Sequence, residues 1–362
     1  MTVLENQLRR PGAPGVWISG AGPESDIVIS TRLRLSRNLE AYPFPGSMDP
    51  EQRRTFLSEM DIELRGMFSG MTWQPLGSPG REREWLAMLG WLPRKTGAAE
   101  SLLLREEAGD AGLVVNHVDH LEPFALEPGL QIQGAFSRIK ALESTLDSRF
   151  RLAANSPFGF LTTRVREAGL GMRCSLLLHL PAMSRMRGFE ELLPVLRSRT
   201  LDFRIFSQDL PSGVYRLTGQ ALHGQKEEEF LEILADLALE LVHYERRMRE
   251  EWHDQGALEF DDQVWRSLGT ISQSRCMTLA ESLSLLSWVR MGSGMRILDV
   301  PLGRIGAAFF QTQDAVLSWM SGMPVSEGVS GADGEKPSTG RAKVTILEEE
   351  RSRLLRRIFS GG

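Results

Sequence analysis

Cysteine is nearly absent from this sequence: Cys174 and Cys276 are the only two in 362 residues. They form neither a CxxC pair nor a disulfide framework, so a reducing cytoplasm is the expected compartment. No run of about 18 apolar residues occurs, so no transmembrane helix and no membrane partner are expected. The opening stretch MTVLENQLRRPGAPG lacks the apolar core of a secretory signal. The six histidines show no HExxH and no Cys/His zinc spacing, and no metal site is expected. A basic excess is missing too. The 42 Lys+Arg stand against 47 Asp+Glu, for a formal charge of −5, which argues against a nucleic-acid partner. No internal repeat is found. What remains, 41% hydrophobic and 25% charged, is ordinary for a soluble globular protein. It excludes disorder throughout, collagen and coiled coil, and the length allows one large domain or two to three small ones.

The chain reads as three unequal parts. Residues 1–25 are Gly/Pro-rich and polar, a flexible arm. Ile27–Ser30 is then a β-branched run, and Asp49-Pro50 opens a helix, with Asp49 as N-cap and Pro50 at the first helical position. Phe56, Leu57, Met60, Leu64 and Phe68 fall on one face of that helix. Ser101–Arg105 and Leu113–His117 read as a hairpin around Ala108–Gly112, and Phe158–Thr163 and Cys174–Leu180 as two more strands. An amphipathic helix runs from Glu227 to Trp252, its stripe made by Phe230, Leu234, Leu237, Leu241, Tyr244, Met248 and Trp252. Beyond Gly256 the chain is mostly helical. Residues 326–341, SEGVSGADGEKPSTGR, read as a flexible linker, and a basic helix over Leu347–Phe359 closes the chain.

The basic segment Ser30-Thr31-Arg32-Leu33-Arg34-Leu35-Ser36-Arg37-Asn38 follows the β run directly. Alternate residues of an extended segment share a face, so Arg32 and Arg34 project together. Their guanidinium forks suit phosphate. On spacing alone, a solvated charged strand is the competing reading.

This segment, followed by Tyr42-Pro43-Phe44-Pro45, resembles the Ser-x-Arg-x-Arg…Arg-Asn…Pro-Phe-Pro stretch of phosphagen kinases. It is most similar to the bacterial protein arginine kinase branch of these ATP:guanido phosphotransferases. Further landmarks follow in order: Asn116-x-x-Asp119-His120-Leu121, Pro128-Gly129-Leu130-Gln131, Gly159-Phe160-Leu161-Thr162, Gly169-x-Gly171-x-Arg173-x-Ser175 and Leu178-His179-Leu180-Pro181. The resemblance implies an α+β fold of the glutamine-synthetase-like kind, a twisted, mainly antiparallel sheet flanked by helices. It implies a catalytic-type domain over 26–255 and a helical C-terminal domain over 256–362.

Phosphoryl transfer to a guanidinium needs arginines on the triphosphate, carboxylates that align the guanidinium and remove its proton, and, in this family, a cysteine thiolate. By resemblance, Ser30, Thr31, Arg32, Leu33, Arg34, Arg173 and Arg204 would bind ATP phosphates. The family's mobile loop after Arg204 is shortened to Ser207–Gly213. Its arginine after Asp-His-Leu is Glu122 here, a charge that would repel ATP. Its upstream histidine falls at Leu89. Its two glutamates are His117 and Val118, and its catalytic cysteine is Arg164. Glu167 is placed to neutralise Arg164, Asp119 and His120 read as a polar strand end, and Cys174 reads as a buried structural thiol.

Glu350-Arg351-Ser352 resembles the Glu-Arg-Asp motif with which the family's last helix recognises phosphoarginine, leaving Arg351 as the basic group of such a pocket. A solvated amphipathic helix is the alternative. Two functions remain. One is a catalytically degenerate pseudokinase acting as an adaptor or regulator in protein quality control, with weak or absent ATP/Mg binding. The other is an active protein arginine phosphotransferase with a rearranged site. The resemblance implies as partners an intact protein arginine kinase, a zinc-binding activator or a Clp unfoldase. It also implies a homodimer, for which Val264–Met291 is a candidate interface.

Overall fold

The structure is a computed structural model that describes residues 15–77, 81–92, 100–185, 202–205, 212–221, 223–320 and 346–359. The expected linker 326–341 and most of the Ser207–Gly213 loop lie outside the described residues.

Eight strands form one sheet: β1 (Val28–Leu35), β2 (Thr72–Leu76), β3 (Ser101–Arg105), β4 (Ala111–Val115), β5 (Leu121–Pro128), β8 (Met172–His179), β9 (Asp202–Ile205) and β10 (Val214–Gln220). Their order is β2-β3-β4-β5-β1-β8-β10-β9, and each neighbouring pair is antiparallel. The two remaining strands, β6 (Ala154–Asn155) and β7 (Gly159–Phe160), make a small separate hairpin. The expected strand Phe158–Thr163 therefore shrinks to two residues. Past Phe160 the Leu161 N–H bonds to the Ala153 carbonyl, and side chains hold the Leu161 carbonyl and the Thr163 N–H. The expected Leu113–His117 strand ends at Val115, because Asn116 takes a left-handed φ of 56° and starts a turn.

Helix α1 (Pro50–Met67) begins as its sequence dictates. Asp49 accepts from the backbone N–H of Glu51 and Gln52, and the Gln52 side chain accepts from the Asp49 N–H, a reciprocal cap. Helix α2 (Arg81–Met88) follows β2, and α3 (Ile132–Asp147) follows β5. Short α4 (Pro181–Arg185) leads to the long α5 (Glu227–Asp254). Period 2 in the strands meets period 3.6 in the helices on one sheet face. There Leu33, Leu35, Cys174, Leu176 and Leu217 pack against Ile139 of α3 and Leu234, Leu237 and Leu241 of α5. The stripe of α5 departs from expectation in its last turns. Tyr244 is exposed, Met248 is half-buried, and Glu245 and Arg249 are the buried pair.

The tail folds as α6 (Ala257–Gln273), α7 (Leu279–Gly294), α8 (Leu302–Gln311), α9 (Asp314–Met320) and α10 (Ile346–Phe359). Val264, Ile271, Leu283, Leu286, Val289 and Met291 are buried in one core with Leu126 and Leu177 of the sheet. The segment Val264–Met291, the expected dimer interface, therefore supplies part of this chain's own core and leaves Trp265 exposed. The expected arm over 1–25 is only partly described, since residues 1–14 lie outside the described residues. From Gly15 the chain is packed: Trp17 and Ile18 are buried, and Trp17 meets Phe310 edge-to-face at 5.0 Å. Gly129, at φ 65°, is part of the same seam, since a Cβ there would lie 2.2 Å from the Pro23 carbonyl oxygen.

Candidate functional site

The sheet face turned away from α3 and α5 carries the arginines. On β1, Ser30, Arg32 and Arg34 alternate with Thr31, Leu33 and Leu35. Register extends the pattern across three more strands. Arg34 lies opposite Arg173, and Arg173 opposite Gln220; Arg32 lies opposite Ser175, and Ser175 opposite Thr218. Arg216 lies opposite Arg204. Five arginines thus stand on one face of four adjacent strands.

Two of the expected phosphate contacts point elsewhere. Leu33 is in the opposite core. The Thr31 hydroxyl donates to the Gly129 carbonyl at 2.7 Å and accepts from the Gln131 N–H at 3.1 Å, tying β1 to the start of α3. Arg216 was not among the expected residues. The alternation Arg216, Thr218, Gln220 against Tyr215, Leu217, Gly219 was the signal that could have placed it.

The arginine face is already occupied by carboxylates. Arg34 donates to Glu122 Oε2 at 2.7 Å, with both residues buried. The second oxygen, Glu122 Oε1, accepts the N–H groups of Val118 at 2.9 Å and Asp119 at 3.2 Å, and His117 Nδ1 lies 3.4 Å away. Burial alone would raise the Glu122 pKa. Arg34, His117 and the Val118 N–H outweigh it and hold the carboxyl ionised, far below the usual range. Glu122 is therefore a ligand of Arg34 rather than a free charge facing it. Glu167, also buried, receives Arg173 at 2.7 Å and Arg164 at 3.1 Å, and lies 4.0 Å from Arg34. The pairing expected between Glu167 and Arg164 is present, and Arg173 makes the shorter contact.

Arg32 differs. Its Nε and Nη2 are shielded from solvent and have no hydrogen-bond partner among the described residues. Burial, Arg34 and Arg216 together depress it well below the ordinary guanidinium value. It shares a narrow pocket with Ser30, Leu89, Gly90, Ser175 and Arg216, lined also by Trp17 and Phe310. The water-accessible volume is about 20 Å³, room for about one water molecule. Arg204 is exposed on β9.

Positions 117–120 form a closed turn between β4 and β5. Asp119 is 1% exposed and accepts from Asn38 Nδ2 and from the Thr163 N–H, each at 2.7 Å. The Thr163 hydroxyl donates to the Val118 carbonyl at 2.7 Å. His120 accepts from the Leu39 N–H at Nδ1 and contacts the Pro43 carbonyl through Nε2. These bonds pin the turn to the segment holding Arg164. Arg37 completes the frame, donating to Glu143 at 2.6 Å and covering the Phe160 ring at 3.7 Å. Gly171, at φ 57°, is required beside it, because a Cβ there would lie 2.7 Å from both Arg37 Nη1 and the Ser36 carbonyl oxygen. Cys174 is fully buried on the opposite face, and burial pushes its thiol up to about 12.

Residues 86–248 match the family described as "ATP:guanido phosphotransferase, C-terminal catalytic domain", and residues 257–328 match "Protein-arginine kinase McsB C-terminal domain". The chain belongs to the ATP:guanido phosphotransferase family, on its bacterial protein arginine kinase branch. The protein-arginine kinase of Moorella thermoacetica is 29% identical over 318 residues, covering 82% of this chain and 90% of that protein. That of Bacillus subtilis is 28% identical over 292 residues, covering 78% and 80%. Among solved structures, lombricine kinase shares the fold with a TM-score of 0.53 at 20% identity, over 65% of this chain and 70% of that one. The substrate-free duplicated taurocyamine kinase from Schistosoma mansoni gives 0.52 at 19%, over 65% and 34%. His117, Val118 and Arg164, the residues expected at the family's glutamate and thiol positions, are two side chains without a carboxylate and a guanidinium paired to Glu167.

The residues present do not fit Mg-ATP. Arg34 and Arg173 are ion-paired within the chain, and the pocket at Arg32 is narrow. Among the described residues, no group of three or more His, Cys, Asp or Glu side chains could hold a metal ion. Arg351 does not offer a phosphate site either. It is buried, and its guanidinium donates to the carbonyls of Thr312 at 3.0 Å and Met277 at 2.9 Å and to Asp314. It ties α10 to α9 and to the start of α7.

Proposed function

We propose that this chain is a catalytically degenerate member of the protein arginine kinase branch, serving as an adaptor or regulator in cytoplasmic protein quality control. One observation carries the loss of catalysis. Arg164 stands at the thiolate position and is locked to Glu167, so a cation occupies the place where a guanidinium would have to align. Repulsion between two guanidinium groups replaces the attraction that positioning needs. No carboxylate at 117 or 118 is present to take the proton. No helix among the described residues is long and apolar enough to cross a membrane. The adaptor role rests on kinship. Its partners would be an intact protein arginine kinase, a zinc-binding activator or a Clp unfoldase.

A second reading, an active phosphotransferase with rearranged residues, is favoured by Arg32 alone, whose Nε and Nη2 have no hydrogen-bond partner among the described residues. Incubation with radiolabelled ATP, free arginine and an arginine-rich protein separates the two. The expected result is no acid-labile phosphate above a no-enzyme control. Loss of a single preorganised electrostatic contact typically costs about 100- to 1000-fold in rate, and three positions are altered here. Time-dependent labelling that vanishes in an Arg32→Ala/Arg173→Ala double variant would establish an enzyme. The adaptor role is tested separately, by titrating the chain with each of the three partners; binding to none of them removes it.

A further inference from the structure

We infer that Glu122 and Glu167 are built-in anions that hold the phosphate-facing arginines in an occupied state, so that nucleotide phosphates are excluded by competition from within the chain. The inference deepens the reading above and rests on Arg34 and Arg173 being the phosphate-facing arginines of this face.

Glu122 is placed as a bound oxyanion would be. One of its oxygens accepts from a guanidinium, and the other accepts from two consecutive backbone N–H groups. Consecutive N–H groups that converge on one oxygen form a standard anion cradle. Here the occupant is covalently part of β5. Arg34 and Glu122 are diagonal neighbours across β1 and β5, since Arg34 lies opposite Phe124, two residues along the strand. Fold register alone therefore delivers the carboxylate to the guanidinium. Glu167 does the same from the short helical turn Val165–Glu167, taking Arg173 and Arg164 on one oxygen and pointing the other towards Arg34.

Two carboxylates thus serve three arginines. An external phosphate must displace them while losing its own translational freedom, a cost that a tethered anion has already met. A displaced Glu122 would also leave a buried charge and two backbone donors without partners. Competition is therefore strongly one-sided as long as the carboxylates are charged. Neutralising one of them should open the site to a small multivalent anion. Arg32, already on the same face with Nε and Nη2 unbonded among the described residues, would then act together with the released arginine.

Pyrophosphate is the probe, titrated calorimetrically into wild type, Glu122→Gln, Glu167→Gln and Glu63→Gln. Glutamine at 122 keeps an acceptor for the turn and removes the charge. Glu63 pairs with Arg149 on the exposed surface and serves as the control. The expected result is at least about tenfold tighter binding by the 122 or 167 variant than by wild type, with the Glu63 variant unchanged. Pyrophosphate should also raise the melting temperature of those two variants and not that of wild type. Should the 122 variant fail to fold, the 167 variant gives the same readout. Equal affinity in all four proteins overturns the inference, as does wild type binding pyrophosphate as tightly as the variants. Either result, with wild type still inert in the phosphorylation assay, leaves the pseudokinase reading standing. Wild-type turnover would sink that reading instead.

Discussion

His120 is held as a neutral imidazole among Tyr42, Phe44 and Phe56, with Nδ1 accepting from Leu39. Burial lowers its pKa from 6.5 to about 4, although the Pro43 carbonyl works the other way. In the unfolded chain the ring takes up its proton near its ordinary value, so between those two pH values the unfolded state binds more protons. Stability from this group is complete above pH 6.5 and is lost as pH falls towards 4, on the order of 3 kcal/mol in all. Glu122 has the same sign at lower pH, since its folded pKa is depressed. The urea midpoint should fall between pH 7 and about 4.5. His120→Gln should flatten that slope, and an unchanged slope would remove His120 as its source. Sequence made the residue visible here but not its partner. Glu122 stood out as a charge reversal, yet its engagement with Arg34, 88 residues away, depends on strand register that one sequence does not display.

Helix α5 shows the same limit at the scale of an element. Its 3.6-residue pattern placed the helix and four of its buried positions, because Phe230, Leu234, Leu237 and Leu241 must all face the sheet. The pattern fails at Glu245 and Arg249, which bury because α4 needs them. Glu245 accepts the N–H groups of Ala182 at 3.1 Å and Met183 at 2.9 Å at the start of that helix. Arg249 pairs with Glu245 at 2.7 Å and donates to the His179 carbonyl at 3.0 Å. Removing one member of such a pair leaves a buried charge alone. Arg249→Met should therefore destabilise the fold by about 3–5 kcal/mol in urea titrations. Adding Glu245→Gln should restore part of that loss; additive losses would show that the two residues act independently. The strand expected at Phe158–Thr163 failed for a related reason. Past Phe160 the Leu161 N–H still reaches the Ala153 carbonyl, but Asn38 takes the Leu161 carbonyl and Asp119 takes the Thr163 N–H, so the strand ends there.

Across the whole molecule, kinship was legible because the motif residues also carry structural duties. Gly171 leaves space for Arg37, Asn38 and Asp119 pin the turn, and Thr31 anchors α3. These duties do not depend on catalysis, so the fold could be read while the state of the site could not. The N-terminal segment was misread because its Gly/Pro composition hides one buried tryptophan, Trp17, which joins the tail helices to the sheet. The arginine face, filled by Glu122 and Glu167, should not accept nucleotide. Isothermal titration of the intact chain with Mg-ATP tests this most directly. The account predicts no binding tighter than about 100 μM, or about −5.5 kcal/mol; micromolar affinity would contradict it.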